Sequence, residues 1–120
     1  MSYTGADLIA DALAQLDVQH VFGIISIHNM PIMDAINRLG KTQIINVRHE
    51  QAGTHAADGY ARASGKLGVM IASTGPGTSN TVTGLYEAQY GSSRVMVITG
   101  QAETAFYGKG LAYVHEAENQ

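Results

Sequence analysis

The feature that most constrains this chain is an apolar pattern that changes repeatedly between a helical period and a strand period. Leu8, Ile9, Ala12, Leu13 and Leu16 recur at helical spacing. Before them, Thr4-Gly5-Ala6-Asp7 has the spacing of a capping box, with Asp7 shorter than the usual Glu or Gln. Asp17 ends that helix, and Val21 to Ile25 reads as a short buried strand. Pro31 suits the first turn of a second helix running to Leu39, and Gly40 closes it as a cap glycine would. Gln43 to Val47 is a second strand, and residues 50–64 are a third helix with Gly65 past its end. Leu67 to Ala72 is a third strand, Ser73 to Thr78 a turn, Ser79 to Tyr90 a fourth helix, and Arg94 to Thr99 a fourth strand.

Strands alternating with helices through short connections predict an α/β fold: a doubly wound, mostly parallel sheet with helices on both faces. Its crossovers are expected to be right-handed. Gln101 to Gln120 shows no clear period and ends in the polar run Glu116 to Gln120. A sheet that stops after four strands predicts a layer incomplete at the C-terminus, finished by further chain or by a second chain.

Composition sharpens that expectation. Charged residues make up 14% of the chain, against about 25% in ordinary globular domains. Glycine occurs 14 times, well above its usual share. So little charge covers a free surface poorly, which predicts surface meant for other protein. The chain has no cysteine, so a disulfide framework and a thiolate metal site are excluded. The start carries no basic cluster or apolar stretch of an export signal. No apolar run approaches the roughly 20 residues a bilayer requires, and a net charge of −3 leaves no basic footprint for nucleic acid. The expectation is a cytoplasmic protein that binds neither membrane nor nucleic acid.

In a doubly wound sheet, ligands gather beyond the carboxyl ends of the strands. Four segments fall there: Ile24 to Asn29, Val47 to Glu50, Ser73 to Gly77, and Thr99 to Gln101. Glu50 stands where a strand gives way to a helix, so its carboxylate can point along the rim; a helix-start acid favoured by the macrodipole is the plain alternative. The helix behind it carries Gly53, Ala56, Ala57, Tyr60, Ala61 and Ser64 at spacings of three and four. That face of small side chains predicts close approach of another helix across a subunit contact. An acid drawn into such a dry seam has its carboxyl raised by desolvation and can exchange a proton with a ligand nitrogen. Ser73-Thr74-Gly75-Pro76-Gly77 is either a turn that lets a ligand approach the main chain or a plain tight turn. It is not a phosphate-binding motif of the dinucleotide or Walker type. His20, His28, His49, His55 and His115 share no metal-ligand spacing, so no metal site is expected on this chain. His28, in the loop after the first strand, is the imidazole placed to meet a substrate. His49 is expected to orient the backbone beside Glu50.

Four strings then stand in register. Arg48-His49-Glu50-Gln51-Ala52 is followed by Ala56-Ala57-Asp58-Gly59-Tyr60-Ala61-Arg62 and Gly65-Lys66-Leu67-Gly68-Val69. Ser73-Thr74-Gly75-Pro76-Gly77-Thr78-Ser79-Asn80 and Thr99-Gly100-Gln101 continue them in order. From about Thr4 to Glu116 the chain resembles the pyrimidine-binding domain of thiamine-diphosphate enzymes, a family that includes acetolactate synthase, benzoylformate decarboxylase and oxalyl-CoA decarboxylase. The resemblance implies that Glu50 hydrogen-bonds a ring nitrogen of the cofactor's aminopyrimidine and so favours loss of the thiazolium proton. The cofactor then attacks a 2-oxo acid and stores the electron pair when carbon dioxide leaves. It also implies that Thr74, Gly75, Pro76 and Gly77 pack against the pyrimidine, with Asn80 opening the next helix, and that the small-residue helix is the dimer contact.

The departures concern the substrate side. The proline-glycine step usual after the first strand is Ile25-Ser26 here, followed by Ile27 and His28, and no paired histidines follow Gln101. Ser26, Ile27, His28, Gln101 and His115 are the candidate substrate-lining residues, and the substrate itself is not transferable. The family holds the diphosphate through Mg2+ on a second domain marked by Gly-Asp-Gly and a later asparagine, neither of which is present. Residues 1–120 therefore read as the N-terminal part of a pyrimidine-binding domain, without the central and diphosphate-binding domains. Such a chain is expected to be inactive alone. Its expected partners are the diphosphate-binding domain of another subunit, in a homodimer or dimer of dimers, and a small 2-oxo acid. The alternatives are a short subunit that pairs with a separate diphosphate-binding subunit, and a non-catalytic dimerisation module.

Overall fold

The computed structural model describes residues 2–111 and 113–116, so the polar 117–120 lie outside the described residues. Helix α1 (Gly5–Gln15) begins at the capping box read from the sequence. The Thr4 hydroxyl accepts from the Asp7 amide at 3.2 Å, and the Asp7 carboxylate accepts from the Thr4 amide at 2.8 Å. Such a cap stabilises a helix by about 1 kcal/mol. The same carboxylate accepts from Arg38 at 2.7 Å, so the cap also ties α1 to helix α2 (Met30–Leu39). Hydrogen bonds from Thr4 and Arg38 hold the Asp7 carboxyl at about 2, below the usual carboxylate range.

Strand β1 (His20–Gly23) precedes α2, and β2 (Gln43–Asn46) follows it. Helix α3 (Glu50–Ser64) leads to β3 (Gly68–Ala72). A one-turn helix, α4 (Pro76–Ser79), and α5 (Val82–Tyr90) lead to β4 (Val95–Thr99). The four strands are parallel in the order β2-β1-β3-β4. Gly40 and Gly65 adopt the left-handed conformation that closes α2 and α3, with φ of 65° and 70°.

Side chains alternate across the sheet as a period of two requires. Val21, Val69 and Ile71 face α1 and α2, where Ala10, Leu13, Met33 and Ile36 cover them. Phe22, Met70 and Ala72 face the opposite layer with Ala57 of α3. β3 is buried along its whole length, whereas β2 and β4 at the edges are only partly covered. Burying each of its larger side chains stabilises the fold by roughly 1.5–3 kcal/mol.

Two expectations need correction. The fourth helix starts earlier than Ser79 and is divided: Pro76 opens α4, and the Thr78 and Thr81 hydroxyls bond to the carbonyls of Ser73 and Thr78 at 2.7 Å each. Hydroxyls that compete for main-chain carbonyls interrupt a regular helix. The first strand ends at Gly23 because the chain turns at once into a loop held by Asn29. On α3, part of the small-residue face is turned to the chain's own sheet. Gly53, Ala57 and Ala61 are buried, a Cβ on Gly53 would stand 2.5 Å from Met70 Sδ, and a Cβ on Gly68 would collide with the Ala57 carbonyl. Gly84 of α5 makes the second close approach, with Thr54 Cβ only 2.6 Å from where its own would be.

Candidate active site

The chain leaves β1 toward β2 on one side and reaches β3 on the other, so the strand order reverses between β1 and β3. A crevice opens at the carboxyl ends of strands where the order reverses. Two loops form it, residues 24–29 after β1 and residues 73–75 after β3.

Glu50 is the first residue of α3, half-buried beside this crevice. His49 caps the helix: its Nδ1 accepts from the Gln51 amide at 3.2 Å, the backbone-orienting part expected of it. The Glu50 carbonyl accepts from the fully buried Thr54 hydroxyl at 2.9 Å, which pins the first turn from below. Glu50 Oε2 accepts from Asn80 Nδ2 at 3.1 Å. A Cβ on Gly77 would stand 3.3 Å from Glu50 Oε1 and 2.9 Å from Ser73 Cβ. Only glycine at 77 therefore lets this turn lie so close to the carboxylate and to Ser73. Glu50, Gly77 and Asn80, which the resemblance names together, meet in one place.

The other candidates form two further groups. Thr74, 1% exposed, donates from Oγ1 to Gln101 Oε1 at 3.3 Å and to the His115 carbonyl at 3.4 Å. Gly75, at φ +56°, has the His115 carbonyl 2.6 Å from its missing Cβ, so the 101–116 segment folds back across this turn. Pro76 is exposed at the start of α4. In the β1 loop, His28 Nδ1 lies 3.3 Å from Ser73 Oγ. Ile27 is 68% exposed, and the Ser26 hydroxyl oxygen is buried with no hydrogen-bond partner among the described residues.

Two residues that organise the site were not singled out in the sequence. Asn29, fully buried, donates to the Ile24 carbonyl at 2.9 Å and accepts from the Ser26 amide at 2.8 Å. Its side chain makes no cap bond to α2 and braces the loop instead. Ser73 carried no signal beyond its place at the strand end. Among the described residues, no group of three or more His, Asp or Glu side chains could hold a metal ion. No helix is long and apolar enough to cross a membrane.

The family described as thiamine pyrophosphate enzyme, N-terminal TPP binding domain, matches residues 3–119. The chain belongs to this family. Among curated relatives, an acetolactate synthase of Arthrospira platensis is 47% identical over 88% of the chain and 19% of the relative. The acetolactate synthase large subunit of Parasynechococcus marenigrum is 48% identical over 82% of the chain and 16% of the relative. That of Lactococcus lactis is 41% identical over 88% and 18%. The chain thus spans about a fifth of the length of the relatives it matches. The α/β architecture expected from the sequence is the one observed, four parallel strands with helices on both faces.

The site that the resemblance implies would have an acid facing a ring nitrogen and bare main chain lying against the heterocycle. The residues present fit both needs. Glu50 offers a carboxylate oriented by Asn80, and glycine at 77 presents bare main chain where a Cβ would crowd Ser73 and the carboxylate.

Proposed function

We propose that this chain supplies the pyrimidine-binding part of a thiamine-diphosphate-dependent enzyme that acts on 2-oxo acids, as a lyase or a carboligase, with Glu50 as the activating acid. The observation that carries the reading is the carboxylate of Glu50 held by Asn80 beside the bare Cα of Gly77. When bound, the cofactor supplies a thiazolium carbon that, once deprotonated, cleaves or forms bonds next to a carbonyl.

The protein's own part is to hold and move a proton. Asn80 occupies Oε2, which leaves Oε1 to share a proton with the pyrimidine nitrogen. Thr54 and His49 fix the helix end, so the carboxylate keeps its place while the proton moves. Thr74, Gly75, Pro76 and Gly77 form the wall against the pyrimidine, and Ser26, Ile27, His28, Gln101 and His115 border the substrate. Half-burial of Glu50 in this chain leaves water to be excluded by a partner. The diphosphate and its Mg2+ belong on a second domain, in a homodimer or dimer of dimers in the cytoplasm. The acetolactate synthase relatives support carboligation of small 2-oxo acids.

The test is Glu50→Gln in the complete assembly. Exchange of the thiazolium proton with deuterated solvent is expected to slow by about two orders of magnitude, in the range of a lost acid–base group. Exchange and turnover at the wild-type rate would leave Glu50 without a catalytic role.

A further inference from the structure

The crevice between β1 and β3 holds a second built arrangement. His28 Nδ1 meets Ser73 Oγ at 3.3 Å, and Ser73 lies against Gly77 as Glu50 does. The imidazole is confined from two more directions. A Cβ on Gly100 would collide with His28 Cβ, so only glycine after β4 admits the ring's backbone so close. Buried Asn29 locks the loop from both ends through Ile24 and Ser26. A histidine braced by three strand ends, half-buried at a topological switch point, is held more tightly than a surface loop requires.

From this arrangement we infer that His28 donates a hydrogen bond from Nε2 to an oxygen of the 2-oxo acid, and that Ser73 is the positioning residue that fixes its tautomer. The inference rests on the reading of Glu50 given above. The Ser73 hydroxyl can donate to Nδ1 or accept from it, and in this inference it donates. Nδ1 as acceptor keeps the ring proton of neutral imidazole on Nε2. Nε2 is then left as the ring's N–H donor for a ligand in the crevice. A carboxylate or carbonyl oxygen is the group such a donor recognises. Ser73 and Gly100 act only through the imidazole.

The experiment uses the full-length protein carrying this domain, loaded with thiamine diphosphate and Mg2+, and whichever 2-oxo acid it turns over best in a panel of aliphatic and aryl 2-oxo acids. His28→Ala is expected to raise KM about tenfold, the effect of losing a hydrogen bond to a charged group. Thiazolium proton exchange without substrate stays within twofold. His28→Gln, which returns an N–H donor at similar reach, restores most of the affinity. Ser73→Ala raises KM about threefold with exchange unchanged, since half or more of the imidazole population is then in the wrong tautomer or orientation. Unchanged KM in His28→Ala, or failure of His28→Gln to recover, overturns the donor. Unchanged KM in Ser73→Ala overturns the positioning. Slowed exchange in either His28 variant would assign His28 to cofactor activation instead, overturning the inference while sparing Glu50. Wild-type exchange in Glu50→Gln strikes the underlying reading alone.

Discussion

Removing the Met70 side chain and adding a methyl at Gly53 should compensate each other, because both act on one contact beneath the first turns of α3. Met70 is fully buried, and its Sδ lies 2.5 Å from where a Cβ on Gly53 would be. Met70→Ala opens a cavity in the α3 layer, at a cost of about 2–5 kcal/mol. Gly53→Ala gains up to about 1 kcal/mol of helix propensity. Against that stands overpacking of about 1–3 kcal/mol, because Val47 Cγ2, 3.0 Å away, closes the other side. The net for Gly53→Ala is a loss of about 1 kcal/mol. In the double variant the sulfur is gone, the methyl enters vacated space and the propensity gain is realised. The pair should then cost no more than Met70→Ala alone, a coupling of about 1–2 kcal/mol. Equilibrium urea unfolding followed by circular dichroism measures it, with m held constant as the check on two-state behaviour. Additivity of the two single effects within about 0.5 kcal/mol would refute the claim that Gly53 is small because Met70 is there.

Asn80→Ala frees Glu50 Oε2, and in the complete enzyme it should lower kcat/KM about tenfold with the far-ultraviolet spectrum unchanged, as expected for a lost bond to a carboxylate; a kcat/KM within twofold of wild type counts against the carboxylate–amide pair. Gly84→Ala sets a methyl against Thr54 Cβ and should push α5 off α3 at a cost of about 1–3 kcal/mol. Faster amide exchange in α5 and the start of α3, with α1 unaffected, is its signature. Acid should destabilise the fold in a stated window. The Asp7 carboxyl is lowered from 3.8 to about 2, so its contribution is complete above 3.8 and drains away as pH falls toward 2. Asp58 acts in the same sense: burial raises its carboxyl, but hydrogen bonds from Ser93 and Arg62 outweigh that and leave it lowered. Asp7→Asn should flatten the stability curve in that window, and an unchanged slope there rejects the assignment.

The fold was legible because period and punctuation agreed. Thr4 with Asp7, Pro31, Gly40 and Gly65 each mark a helix end that the structure reproduces. The acid at the head of α3 was legible by the same logic, since a strand-to-helix junction on a parallel sheet faces the ligand rim. What could not be read was direction. Gly53, Ala57 and Ala61 announce that something approaches closely, and spacing alone does not say whether it is the chain's own sheet or another molecule. Asn29 failed differently, because an Asn before a helix has two uses of its amide and only the loop's path selects one. Ser73 became visible only when parallel pairing brought the ends of β1 and β3 together. Contacts over 45 residues of sequence, such as His28 with Ser73, have no local signature.

The glycine- and alanine-lined underside of α3 carries a further consequence. Main chain meets main chain there at Gly68 and Ala57, and the buried Met70 side chain fills the gap beneath Gly53, so the height of the acid above the rim is set by backbone and one methionine. Descendants of such a scaffold can rewrite the loops at the rim, trading one imidazole or hydroxyl for another, while Glu50 stays where it was. Chemistry can then diversify at the mouth of the crevice without renegotiating its floor.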